Sequence, residues 1–110
     1  MDFTVGGVAA GEPGSKGVNS QLDLASGGPV AISARVASRL ADEPNTAIAE
    51  RPLAHQPYWH AERARIGDSN RVPVELVVNG ESVETQEIEA DGSIQNLQFT
   101  YTLAGMSGAY

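Results

Sequence analysis

The feature that most constrains this chain is an alternation of apolar and polar side chains in its last third. Apolar residues recur at every second position in the runs 72–78 and 97–103, which is the period of a β-strand with one buried face. Asn79-Gly80 follows the first run and is typical of a two-residue hairpin, because both residues tolerate positive φ. Asp91-Gly92 indicates a second tight turn. The pattern therefore predicts a meander of three antiparallel strands joined by these two turns.

The middle strand of this meander changes its apolar phase partway along. Val83 and Thr85 lie on one parity, whereas Ile88 and Ala90 lie on the other. A single inserted residue would reconcile the two halves, and we therefore expect a β-bulge near Gln86.

Weaker strand patterns precede the meander. Alternating apolar residues predict a long strand over 29–40, and an N-terminal strand over 3–8 is interrupted by Gly6-Gly7. Leu22 and Leu24 suggest a further short strand. The Gly- and Ser-rich segment 10–20 is expected to be an exposed loop.

Residues 41–56 contain two prolines and no strand pattern, which predicts a long irregular loop. Asn45 is suited to cap one helical turn that runs through Glu50. Residues 57–66 are expected to return to extended structure, with Trp59 as a core residue because it offers the largest apolar area.

Together these elements predict an all-β fold: an antiparallel two-layer β-sandwich, immunoglobulin-like, with a long irregular loop. A small open barrel is the alternative, because the spacing of the turns fits both. The length of 110 residues is that of one domain, so residues 1–110 are expected to form a single β-sandwich domain that is a module or fragment of a larger protein.

Composition limits the possible functions. The chain has no cysteine and a formal net charge of −7. The absence of cysteine excludes disulfides, thiolate metal sites and a cysteine nucleophile. The acidic charge argues against nucleic acid and anionic membranes as partners. No apolar run approaches the roughly 18 residues of a membrane span.

No constellation of residues predicts catalysis. His60-Ala61-Glu62 matches the His-x-Glu spelling of zinc deaminases, but that site also needs a Pro-Cys-x-x-Cys motif, and the chain has no cysteine. His55 and His60 are five residues apart across a proline, so one helix face cannot present both. We therefore expect no catalytic residue, no metal and no cofactor, and disfavour a small enzyme.

The basic and aromatic residues of segment 57–66 are the best candidates for an interface. Arginine pairs well with carboxylates, so Arg63 and Arg65 are expected either to form ion pairs on a sheet surface or to contact another domain. In the second case the contact residues are Tyr58, Trp59, His60, Arg63 and Arg65, together with the 41–56 loop.

Two stretches carry a family resemblance: PYWHAERARIGD at 57–68 and VPVELVVNG at 72–80. They resemble the C-terminal accessory region of large bacterial metallohydrolases of the polymerase-and-histidinol-phosphatase superfamily, the CehA/McbA-like proteins. The resemblance implies a β-sandwich-like segment that follows a catalytic domain. The family's His-x-His metal motif does not occur here, so no catalytic residue is carried over.

The leading functional prediction is thus a non-catalytic accessory or interaction module, with an adjacent hydrolase domain or another protein as its partner. The alternative is a self-standing carbohydrate- or protein-binding module, although sugar binding normally needs exposed aromatic rings and these are few. The resemblance also implies a further apolar strand after the end of this chain. Without it, an unpaired edge at Leu97–Leu103 could support a homodimer.

Overall fold

The computed structural model describes residues 1–55, 63–105 and 108–110. Helix among them is limited to α1 (Thr46–Ala49) and a 3-10 turn at Leu53–His55. The strands, in chain order, are β1 (Asp2–Val5), β2 (Val8–Ala9), β3 (Gly28–Val36), β4 (Arg71–Val78), β5 (Glu81–Glu89) and β6 (Gln95–Leu103).

The strands form two antiparallel sheets. One has four strands in the order β2-β1-β3-β6, and the other is the β4-β5 hairpin. The predicted all-β, antiparallel, sandwich-like fold is therefore confirmed. The two layers differ in width, because the four-stranded sheet faces a sheet of only two strands.

The core lies between these layers. Every second residue of β3 from Val30 to Val36 is buried, and the intervening residues are more exposed. Ile88 on β5 is the most deeply buried large side chain among the described residues, at 1% exposure. It packs in one cluster with Ile32, Phe99 and their neighbours. The period-2 patterns thus place apolar side chains from both sheets in a single interior.

Two local predictions from the sequence are confirmed. Asn79 and Gly80 have φ values of 54° and 85° at the tip of the β4–β5 hairpin, as a turn of this kind requires. Asn45 caps α1, because its side-chain oxygen accepts a hydrogen bond of 3.0 Å from the backbone N–H of Ile48. Both features depend on short-range backbone chemistry, which a sequence carries directly.

The predicted meander is wrong at its third strand. β6 does not continue the β4–β5 sheet but pairs with β3 over nine residues, Gly28–Val36 against Gln95–Leu103. The Asp91-Gly92 turn is a corner between layers: Gly92 N–H donates to the carbonyl of Ser38 and Leu40 N–H to that of Ala90. Pairing β6 with β3 joins two nine-residue strands that each have an apolar face. This gain in burial and hydrogen bonding outweighs the advantage of pairing β6 with β5, its neighbour in sequence, because β3 would otherwise lose its longest partner.

The bulge and two strand boundaries also differ from the predictions. The bulge lies at Val83, where Leu76 pairs with Glu84 and Val77 with Ser82, so Gln86 stays in the ladder. This position turns the side chains of Glu84, Gln86 and Ile88 inward. β3 ends at Val36 instead of residue 40, and Leu22–Leu24 form no strand.

Candidate functional site

The sequence-predicted contact residues divide into two groups. Tyr58, Trp59 and His60 lie outside the described residues, so the predicted burial of Trp59 and their contact role both stay predictions. Arg63 and Arg65 lie within them. Arg63 is exposed, and its carbonyl accepts a hydrogen bond of 2.7 Å from the backbone N–H of Ala41.

Arg65 organises the loops around it. Its Nη1 donates to the carbonyl of Asp42 at 2.7 Å and its Nε to that of Gly67 at 3.0 Å, while Nη2 donates to the carbonyl of Asp68. The backbone N–H of Asn45 also donates to the Arg65 carbonyl, at 2.6 Å. A guanidinium that already holds three carbonyls has fewer donors left for a partner. The structure therefore gives Arg65 a loop-fixing role that the sequence did not indicate.

The surface feature that sequence reasoning missed is an apolar cleft between the layers. Two adjoining depressions of about 250 Å³ each lie along it. Phe3, Ile32, Leu76 and Val77 line both, and Val5 and Tyr101 line one of them. Phe3 is 44% exposed, so a large apolar group faces solvent at its mouth. We call this feature the β4 cleft.

The β4 cleft follows from the unequal width of the two sheets. Phe3 pairs with Ala34 and Val5 with Ile32, so the side chains of Phe3 and Val5 lie on the same inner face of the sheet as those of β3. β5 packs beside β6, because the Gln86 side chain donates to the carbonyl of Gln98 at 2.8 Å. The hairpin is thereby drawn to the β6 side, and the inner face of β1 at Phe3 is left without a strand above it among the described residues.

β6 is the outermost strand of the four-stranded sheet, as an edge at Leu97–Leu103 requires. A side chain covers part of this edge: Gln86 Nε2 donates to the carbonyl of Gln98 on β6 at 2.8 Å. Such side-chain caps reduce the tendency of an edge to pair with another chain. A homodimer through β6 stays a prediction.

Among the described residues that line the β4 cleft, Glu75 alone has a charged side chain. Arg71 and Glu87 form an ion pair across the β4–β5 hairpin at 3.2 Å. Glu75 lies at the rim of the cleft, and no basic side chain pairs with it among the described residues. Residues 72–110 carry six acids and no base. The rim therefore favours a cationic partner.

Two carboxylates outside the β4 cleft, those of Asp91 and Asp23, have lowered pKa values. Hydrogen bonds from the side chain and backbone of Ser93 lower the pKa of Asp91 below its usual 3.8, and the N–H···O distance is 2.8 Å. The side chains of Gln21 and Lys16 likewise lower the pKa of Asp23. Both groups stabilise loops and are single carboxylates, so neither offers paired acid–base chemistry.

A larger depression of about 530 Å³ lies beside Asp23, between residues 21–27 and the chain after β6. Its lining residues lie mainly in loops. Asp23 Oδ2 has no hydrogen-bond partner there, but Oδ1 is paired with Lys16 at 3.1 Å. One paired carboxylate does not make a ligand site.

Among residues 1–55, 63–105 and 108–110, no group of three or more acidic or histidine side chains is placed to hold a metal ion. In the same part of the chain, no helix is both long and apolar enough to cross a bilayer.

No protein-family model matches this sequence, and no curated protein or solved structure matches it either.

Proposed function

We propose that this chain is a non-catalytic interaction module that binds a partner protein through the β4 cleft. The observation that carries the proposal is the exposed apolar surface of the cleft, where Phe3 faces solvent beside the core residue Ile32 and the half-buried Leu76. Contiguous exposed apolar surface next to a core is typical of a surface that becomes buried on association.

The dimensions of the chain support this proposal. Its accessible surface is 7917 Å², whereas a compact monomer of 11.5 kDa exposes about 5,800 Å². Its radius of gyration is 18.0 Å, against about 13 Å for a compact domain of this length. The excess surface exceeds the roughly 800 Å² that each partner buries in a stable complex. A chain with so much surface for its mass gains burial when it docks on another protein.

The partner that we propose is a metallohydrolase domain of the superfamily that residues 57–80 resemble. In that setting the chain is an accessory module of a metallohydrolase-type parent protein, and its fold is of the immunoglobulin-like kind. Tyr58, Trp59, His60, Arg63 and Arg65 are the proposed additional contacts. A carbohydrate-binding module is the weaker candidate, because the β4 cleft offers Phe3 and Tyr101 but few polar groups that could bind sugar hydroxyls.

The test begins with the coding sequence next to this chain. A neighbouring metallohydrolase reading frame, continuous or interrupted, is expected, and its product should co-elute with this chain in size-exclusion chromatography with light scattering. Replacing Phe3 with Asp should abolish the complex, whereas replacing Asp2 with Asn, a matched change next to it on β1, should not. A mixture that elutes as two separate proteins would overturn the proposed partner.

A further inference from the structure

The outer edge of β4 determines what kind of partner segment the β4 cleft can take. We infer that this edge accepts an extended strand of a partner protein, with apolar side chains at alternate positions and a basic side chain against Glu75. The inference rests on the proposed function and specifies how that interaction is made. It amounts to adding a third strand to the two-stranded sheet.

The lining of the cleft shows that the backbone of β4 itself faces it. The consecutive residues Val74, Glu75, Leu76 and Val77 all line one depression. Successive side chains of a strand point to opposite faces, so four residues in a row can line a cleft only along the edge of the strand. Main-chain groups are therefore available there, in addition to apolar side chains.

The alternation of hydrogen bonds identifies these main-chain groups. In an antiparallel hairpin, every second residue directs its N–H and C=O away from the partner strand. Pro73 has no N–H, which suits an outward position, so Glu75 and Val77 are outward as well. Asn79 continues the series: its N–H donates to the carbonyl of Tyr110 at 2.8 Å. One pairing with an outer segment is thus already present at the end of β4.

The groups between Asn79 and Pro73 have no such partner. No backbone hydrogen bond joins Glu75 or Val77 to a residue outside the hairpin within the described part of the chain. A strand placed there would lie over Phe3, which is 44% exposed, and would continue from Ala109 and Tyr110, which line the same depression. Its inward side chains would occupy every second position, and apolar residues at those positions would complete the inner face.

Charge decides between a foreign strand and a second copy of this chain. Each copy carries a net charge of −7. Antiparallel pairing of two β4 edges would also bring Glu75 close to its own counterpart, and like charges opposite each other in a sheet are destabilising. A partner strand with lysine or arginine at this position would instead form an ion pair with Glu75.

A synthetic peptide provides the probe. It alternates Val with Lys or Thr, so that all of its apolar side chains share one face, and it carries a fluorophore at one end. We expect saturable binding by fluorescence anisotropy, with the backbone N–H groups of Glu75 and Val77 becoming protected from hydrogen exchange. A peptide of the same composition with its Val residues consecutive, and an acidic peptide with Glu in place of Lys, should bind at least about tenfold more weakly.

Matched variants locate the binding edge. Val77→Pro removes an N–H that points away from β5, so no hydrogen bond of the hairpin is lost. Pro73, at an equivalent outward position, shows that β4 tolerates proline there. This variant should weaken peptide binding about tenfold. Val77→Ala keeps the N–H and should bind the peptide within about twofold of the wild type. Glu75→Gln should weaken binding about threefold and reduce its dependence on salt. Far-UV circular dichroism of each variant checks that the fold is intact.

A modified peptide gives the same test without changing the protein. N-methylation of every second peptide residue blocks one edge of the peptide, and methylation of the alternate set blocks the other. Only one of the two sets should abolish binding, because a strand added to β4 uses one edge. Equal binding by both methylated peptides, or protection at β6 instead of β4, would overturn the inference.

The outcomes separate this inference from the proposed function. A complex with the hydrolase domain that survives Val77→Pro would refute strand addition but leave the interaction module standing. Peptide protection at Glu75 and Val77 without any hydrolase complex would refute the proposed partner alone. Concentration-dependent self-association that Val77→Pro abolishes would identify a second copy as the occupant and refute a foreign strand.

Discussion

Replacing Ile88 with alanine tests whether the space between the two sheets is the core that joins them. Ile88 is 1% exposed and lies on β5, the strand that also contacts β6. Its cluster includes Ile32 and Phe99 from the opposite sheet. Truncating this side chain therefore removes contacts between the layers and leaves the hydrogen bonds within each sheet intact.

The expected loss can be estimated from the buried groups. The substitution removes three carbons, and at about 0.8 kcal/mol each the transfer term is about 2.4 kcal/mol. Partial collapse of the surrounding side chains leaves a residual cavity, which adds up to about 1 kcal/mol. The total of about 3 kcal/mol is a large part of the roughly 5–15 kcal/mol that stabilises a typical domain.

Urea unfolding followed by far-UV circular dichroism measures this loss. With a urea dependence of about 1.5 kcal/mol per molar, the midpoint of Ile88→Ala should fall by about 2 M. Val83→Ala is the matched control on the same strand, because Val83 is the exposed bulge residue, and it should cost less than about 0.5 kcal/mol. Equal midpoints for the two variants would refute the assignment of the core.

Three further predictions follow from local features. Asn45→Ala should remove the cap of α1 and speed hydrogen exchange at the Ile48 amide about fivefold, while the unfolding midpoint stays unchanged; slow exchange in the variant would contradict the cap. Gly80→Ala should cost about 1 kcal/mol because φ is +85° there, and Gly67→Ala, where φ is not positive, should cost almost nothing in the same urea assay. The lowered pKa of Asp91 favours the folded state fully above its usual 3.8 and progressively less as pH falls through the folded value. Asp91→Asn should therefore lose less stability on acidification than the wild type in urea titrations, and identical acid profiles would contradict this role.

Short-range features were readable from the sequence because neighbouring residues decide them. The Asn79-Gly80 hairpin and the Asn45 cap depend on φ preferences and on one side-chain oxygen close to the backbone. The position of the bulge was not readable in the same way. The change of apolar phase between Val83 and Ile88 placed the bulge near Gln86, but Gln86 faces inward and reaches the carbonyl of Gln98 on β6. A polar residue can occupy an inner position when a distant strand supplies its hydrogen-bond partner.

The candidate site was the least predictable part. The alternation of Phe3 and Val5 indicated a strand with one apolar face, but not that this face would be left uncovered. That outcome depends on how many strands each layer receives. The interface role of Arg65 stays a prediction, and the three carbonyls from two loop segments that its guanidinium holds could not be read from the sequence.

By itself, the order of residues determined that β3, β4 and β6 are strands, which face of each is apolar, and where the Asn79-Gly80 turn lies. It did so because side-chain period and turn chemistry act over a few residues. Only the tertiary structure decided that β6 joins β3 instead of β5, and therefore that four strands face two. Strand partners are chosen by the total apolar area and hydrogen bonding gained across distant segments, so the open edge of β4 exists only once the whole chain has folded.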